Sequence, residues 1–143
     1  MSTIFDIADA VVEALNGQAF SKSFKAELKA IPEYDITKSH GLLISVMPRE
    51  LDITQEMRGE SQWGPAIDVG IQKKIEAAGD PVTEVRELTG LVEEIASFLM
   101  NEDFELSPTR IENKPVYAGD HLRNHRVFTS VLTLRYLTLK VNE

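Results

Sequence analysis

The chain has 143 residues, 43% of them hydrophobic, with no cysteine and a formal net charge of -8. This length and apolar content fit a single domain over 1–143 with a core of its own. The lack of cysteine excludes disulfides, thiolate metal sites and a thiol nucleophile, and the acidic balance opposes broad binding to phosphate backbones, which needs clustered Lys and Arg.

In chain order, Ile4, Ile7, Ala8, Val11, Val12 and Leu15 recur at helical spacing. They predict a helix over 3–16, with Ser2 or Thr3 as N-cap and Gly17 at its end. The N-terminal run lacks the basic start and unbroken apolar stretch of a secretory signal, and no segment approaches the ~20 apolar residues of a membrane span. A soluble protein of the cytoplasm, with no membrane partner, is expected. Phe20, Phe24, Ala26, Leu28 and Ala30 alternate with polar residues, which predicts a strand with one wet face, closed by Pro32. Leu42 to Met47 is apolar on both faces and predicts a short central strand ended by Pro48. Glu50 to Met57 and Trp63 to Ile75 predict the arms of a hairpin around Gly59-Glu60-Ser61-Gln62. In the second arm Trp63, Ile67, Val69 and Ile71 share one face.

After a break at Ala78-Gly79-Asp80-Pro81, the apolar set Val85, Leu88, Leu91, Val92, Ile95, Phe98 and Leu99 predicts a second helix. It begins at Pro81 or Thr83 and runs to Met100. Thr109 to Val116 predicts a short strand interrupted by Pro115, and Ala118 to Asn124 a polar loop. The last predicted strand, Arg126 to Val141, is the unusual element. At roughly 3.3 Å per residue it spans about 50 Å, whereas a compact domain of this length is only about 37 Å across. Either the strand bends sharply or its end finds cover on a neighbour. The predicted fold is α+β, a mainly antiparallel sheet with a long β-hairpin packed against two helices on one face.

Chemistry-bearing residues are sparse. His121 and His125, four apart in Asp120-His121-Leu122-Arg123-Asn124-His125, would face together on a helix and hold zinc, but no Glu follows the first His and the segment reads as a loop. Solvated histidines are the expectation there, with no metal and no cofactor. Glu93-Glu94 diverge by about 100° on a helix and read as a solvated flank instead of an acid/base pair. No Gly-x-Ser-x-Gly elbow and no Gly-rich phosphate loop occur in the sequence. Trp63 reads as an aromatic packed at the base of a hairpin arm. Lys73-Lys74 and Arg123 with Arg126 read as solvated faces, or as cations pairing with acidic rims across subunits.

Several stretches together carry a resemblance: Ile7-Ala8-Asp9-Ala10-Val11-Val12, Val46-Met47-Pro48-Arg49, Asp68-Val69-Gly70-Ile71-Gln72-Lys73-Lys74, Leu91-Val92-Glu93-Glu94-Ile95-Ala96, and Phe128-Thr129-Ser130-Val131-Leu132-Thr133-Leu134 with Tyr136. In these and in the order of its elements the chain is similar to the tail terminator and tail-completion (neck) proteins of long-tailed bacteriophages. The resemblance covers nearly the whole chain and contains no catalytic signature. It implies a non-enzymatic virion protein, assembled in the host cytoplasm, that forms a homo-oligomeric, hexameric ring at the head-proximal end of the tail tube. Such a ring ends tube polymerisation, contacts the tail tube protein on one side and a head-completion or connector protein on the other, and lets DNA slide through without specific binding. An acidic chain suits that passage. The assembly residues expected on this reading are Arg49, Arg58, Trp63, Lys73, Lys74, Arg126 and Tyr136. The alternatives are a head-completion or connector protein on the portal side, and, from another class, a small-ligand-binding module or an enzyme using the His121/His125 loop. The latter requires a concave pocket with convergent polar groups and a perturbed titratable residue.

Overall fold

A computed structural model describes residues 3–30, 41–76, 80–101 and 104–141. The first helix, α1 (Thr3–Asn16), buries Ile7, Ala8, Val11 and Leu15, the stripe its spacing predicts. Ser2 and Pro32 lie outside the described residues. At the helix end the Asn16 side chain acts like a piece of backbone. Its Nδ2 donates to Ala26 O at 3.1 Å and its Oδ1 accepts from Ala26 N–H at 2.7 Å, tying α1 to the first strand.

That strand, β1 (Ala26–Leu28), is shorter than predicted and runs parallel to its neighbour. The alternation that suggested a longer strand has another cause. Phe20 stacks on Phe24 at 5.4 Å and meets Phe98 edge-on at 5.6 Å, while Phe98 stacks on Phe104. An aromatic cluster of this kind holds residues 20–24 against the helices and off the sheet.

The long hairpin is β2 (Leu43–Met57) and β3 (Glu60–Lys74), two arms of 15 residues each. The predicted central strand and first hairpin arm are therefore one strand, which runs straight through Pro48. Proline is tolerated because β1 stops pairing at Val46 and a bulge between Pro48 and Glu50 absorbs the misfit. The turn lies at Arg58-Gly59, one step earlier than predicted, with Glu60, Ser61 and Gln62 already in β3. Gly59 supplies it with a φ of +89° that a side chain would strain.

Helix α2 (Val82–Leu99) buries Val85, Leu88, Leu91, Val92, Ile95 and Leu99. Asp80 Oδ1 accepts the Val82 N–H at 3.1 Å, satisfying one of the helix's unpaired donors. Beyond it come β4 (Arg110–Glu112), a cis Lys114-Pro115 peptide, and α3 (Gly119–His125) where a polar loop was expected. The last strand is split into β5 (Val127–Arg135) and β6 (Thr138–Val141).

The split does not change the register. Arg135 faces Ala66 and Thr138 faces Trp63, so the chain keeps the same partner strand across the gap. Pro65 lies opposite that gap. It accepts the Tyr136 N–H at 3.0 Å but has no N–H to return. The β2 bulge falls at the same level, since Glu50 and Leu51 face Ala66 and Pro65.

The sheet order is β1-β2-β3-β5-β4, with β6 extending along β3. All pairs are antiparallel except β1 with β2. Ile44, Val46, Ile67, Val69, Ile71, Phe128, Leu132 and Leu134 share one face by register and form a single core with α1 and α2. This is the α+β arrangement expected, two helices on one face of a mainly antiparallel sheet.

Candidate assembly surface

Helices of 14 and 18 residues are about 21 and 27 Å long, whereas a 15-residue strand runs for about 50 Å. The strands therefore outrun their cover. Beyond Pro65, β2, β3 and β6 continue as a three-stranded ribbon. Among the described residues, no strand pairs with the outer edge of β2 past Val46 or with the outer edge of β6.

Both ribbon faces carry apolar residues in solvent. Leu51 and Ile53, opposite Pro65 and Trp63, lie on one face, and Ile53 is 52% exposed. Met57, Leu137 and Leu139 border an open hollow of about 640 Å³ with Glu60 and Gln62; they are 59%, 57% and 69% exposed. A folded surface seldom leaves such side chains together in water without a use for them. Open strand edges add unpaired backbone groups of the sort that recruit another chain.

The face of the sheet away from α1 and α2 is polar and tightly paired. Arg49 Nη1 binds Asp68 Oδ2 at 3.1 Å, and Thr133 Oγ1 donates to Asp68 Oδ1 at 2.8 Å. Arg135 reaches Glu50 at 2.5 Å and Glu112 at 3.5 Å. The Arg135 hydrogen bond holds the Glu50 carboxyl below its usual range, and the same bond raises Arg135. All of them but Glu50 line a shallow hollow of about 300 Å³, where Lys114 leaves the cations in excess by one.

The residues expected to act in assembly separate into three groups. Arg49 and Arg58 are exposed on the hairpin, Arg49 at the bulge and Arg58 in the turn, and half-buried Trp63 lies on the ribbon with its Nε1 donating to Ser61 Oγ at 3.0 Å. Lys74 is half-buried at the far end of β3, facing Val127. Like Arg49, which is paired with Asp68, the remaining three are engaged within their own subunit, where contacts with a neighbour were expected. Lys73 is engaged within its own subunit, its Nζ 2.6 Å from Glu84 Oε2 in the first turn of α2. Arg126 is exposed but sits at φ 53° as the C-cap of α3, its N–H donating to Leu122 O and its carbonyl accepting from Ile75 N–H. Tyr136 is buried in the core at 6% exposure, its hydroxyl lacking a partner among the described residues. Burial pushes that hydroxyl's pKa well above the usual range.

The other candidates also have structural occupations. Glu94 accepts from the Ser21 hydroxyl and from Ser21 N–H, anchoring the aromatic segment to α2. Because α3 is helical, His121 and His125 are one turn apart, and the His121 Nδ1 lies 3.0 Å from Thr129 Oγ1. Among the described residues no three His, Asp or Glu side chains gather as a metal site, and no helix is long and apolar enough to cross a membrane. What sequence reasoning missed is the exposed set Met57, Leu137 and Leu139. Its signal was available in the alternation of the last strand past the length of any covering helix. Comparison with protein-family models finds none that matches the chain, and comparison with curated proteins finds no match either.

Proposed function

We propose that the chain is a non-enzymatic structural subunit of a long-tailed phage virion, a tail terminator that acts by closing into a ring at the head-proximal end of the tail tube. The observation that carries this reading is the uncovered ribbon of β2, β3 and β6, with exposed Ile53, Met57, Leu137 and Leu139 and two open edges. A surface of that kind on one end of a small subunit invites contact with an identical neighbour, and a ring needs that contact to be with a different surface. Such head-to-tail contacts close a ring when the rotation permits and give open filaments when it does not. In this reading the ring is a hexamer, one rim meets the tail tube protein, the other meets a head-completion or connector protein, and DNA passes through without specific binding. The net charge of -8 supports passage without adhesion.

The test is the particle mass of purified protein, alone and with isolated tail tubes, together with negative-stain images. A closed ring capping the tube end is the expected result. A monodisperse monomer at high concentration that caps no tubes overturns the proposal. Co-purification with filled heads in place of tails moves the subunit to the portal side of the joint.

A further inference from the structure

We infer that the apolar ribbon tip, Met57, Leu137 and Leu139, seats in the groove between α2 and α3 of a second copy of this chain. This inference rests on the ring reading and names the contact through which the ring forms. The groove is an open trough of about 550 Å³ with Val82, Gly90, Tyr117 and Leu122 in its lining. Val82 and Tyr117 are themselves exposed hydrophobic residues. A Cβ built on Gly90 would meet nothing within 4 Å, so the trough is open at its floor.

Charge fixes the match and its orientation. Arg86 and Glu93 rim the groove, two helical turns apart and so separated by about 10 Å along α2. The ribbon tip bears Arg58 in the turn and Glu60 beside Met57. No ion pair engages any of these four among the described residues. Docking the tip places Arg58 toward Glu93 and Glu60 toward Arg86, opposite signs at both ends. Apolar burial drives the contact, and the charges select register and partner. The two surfaces are different patches of one molecule, as a head-to-tail ring requires; a tip that met another tip would give a two-fold dimer instead.

The absence of native cysteine makes the test direct. Leu139→Cys protein is mixed with Gly90→Cys protein and treated with a short bis-maleimide; both positions are open to solvent or to empty space. A seated tip raises the local thiol concentration into the mM range, so covalent dimer should exceed that from Leu139→Cys with Glu27→Cys, an exposed position on β1 at the opposite edge of the sheet, by about ten-fold. Arg86→Glu in the groove protein should lower the yield about 5-fold, and Glu60→Arg in the tip protein should restore it. A chain carrying both cysteines should give a ladder that stops at the closed ring.

If wild-type protein caps tail tubes but the Leu139/Gly90 pair links no better than the Glu27 control, the groove assignment is wrong and the ring reading stands. Efficient linkage of Leu139→Cys to itself alone likewise overturns the groove. Selective Leu139/Gly90 linkage with a ladder that runs on without closing supports the groove and refutes the ring.

Discussion

The two halves of the central hairpin are built from the same strands in continuous pairing, yet they live in different solvents. In the covered half Val46, Ile67, Val69 and Ile71 are fully buried beneath α1 and α2. In the outer half Ile53 and Met57 are more than half exposed, as are Leu137 and Leu139 beside it. Alternation alone does not account for the difference, since Leu51-Asp52-Ile53-Thr54 in the outer half alternates as Ile67-Asp68-Val69-Gly70-Ile71-Gln72 does in the covered one. Length does: a helix rises about 1.5 Å per residue and a strand about 3.3 Å, so helices of ordinary size cannot shield arms of 15 residues.

Truncation should therefore act very unequally in the two halves. Leu132→Ala or Leu91→Ala, in the covered half, should cost about 2–5 kcal/mol in urea unfolding through lost burial and an unfilled cavity. Equal losses from Leu139→Ala in isolated subunits would mean that the ribbon is sheltered after all.

The edge of the covered half is pinned by Lys73 and Glu84, with side chains only 17% and 16% exposed. Glu84→Gln should destabilise by about 2 kcal/mol because it strands a half-buried ammonium, and Lys73→Met with Glu84→Leu should regain most of the loss. A null effect of Glu84→Gln would instead make Lys73 available to a neighbour.

Tyr136 marks the boundary of the two halves. Replacing it with Phe removes a buried hydroxyl that has no partner among the described residues, which should stabilise by about 1 kcal/mol. Its folded pKa is raised by burial. The sign follows: the stability linked to the neutral phenol is complete below the unfolded pKa of about 10 and is lost as pH rises above it. Tyr136→Phe should therefore flatten the alkaline fall in melting temperature. An unchanged pH profile would place the hydroxyl in contact with water.

Smaller effects are expected at the surface. Gly90→Ala should stabilise α2 by about 0.5–1 kcal/mol, because the added methyl meets open space and the unfolded chain loses freedom. Leu139→Ala should shift subunit unfolding by less than about 0.5 kcal/mol while reducing assembly, the sharpest form of the contrast.

Much of the covered half was legible in the sequence because its periodicity is long and regular. α1 runs over the expected Thr3–Asn16, and α2 starts and ends within a residue or so of its predicted bounds. What failed depended on distant partners. The alternation at Phe20 and Phe24 belongs to an aromatic cluster built on Phe98, more than seventy positions away. α3 is a seven-residue helix with no buried residue, so it leaves no apolar stripe to read. Pro48 looked like a strand end, but it lies past the reach of β1 and beside a bulge.

The ribbon was legible as an overlong strand and arm, since chain length alone implies overhang. Individual roles were not. Lys73 and Lys74 are sequence neighbours, yet strand alternation turns only Lys73 toward Glu84 on α2. Tyr136 belongs to the same run as Leu137 and Leu139, but it is the last residue under cover. Which side of such a boundary a residue occupies depends on where a helix stops, and no local pattern encodes that.

The bulge between Pro48 and Glu50, Pro65, and the gap between Arg135 and Thr138 lie side by side across three strands. They amount to a score line drawn over the sheet. The missing Pro65 N–H, the bulge and the strand gap weaken the ladder at this level, so the outer blade should bend there before it bends within the covered half. Backbone amides flanking this line should exchange with solvent before those at Val69 and Leu132, giving the subunit a built-in way to adjust its reach to the curvature of whatever it joins.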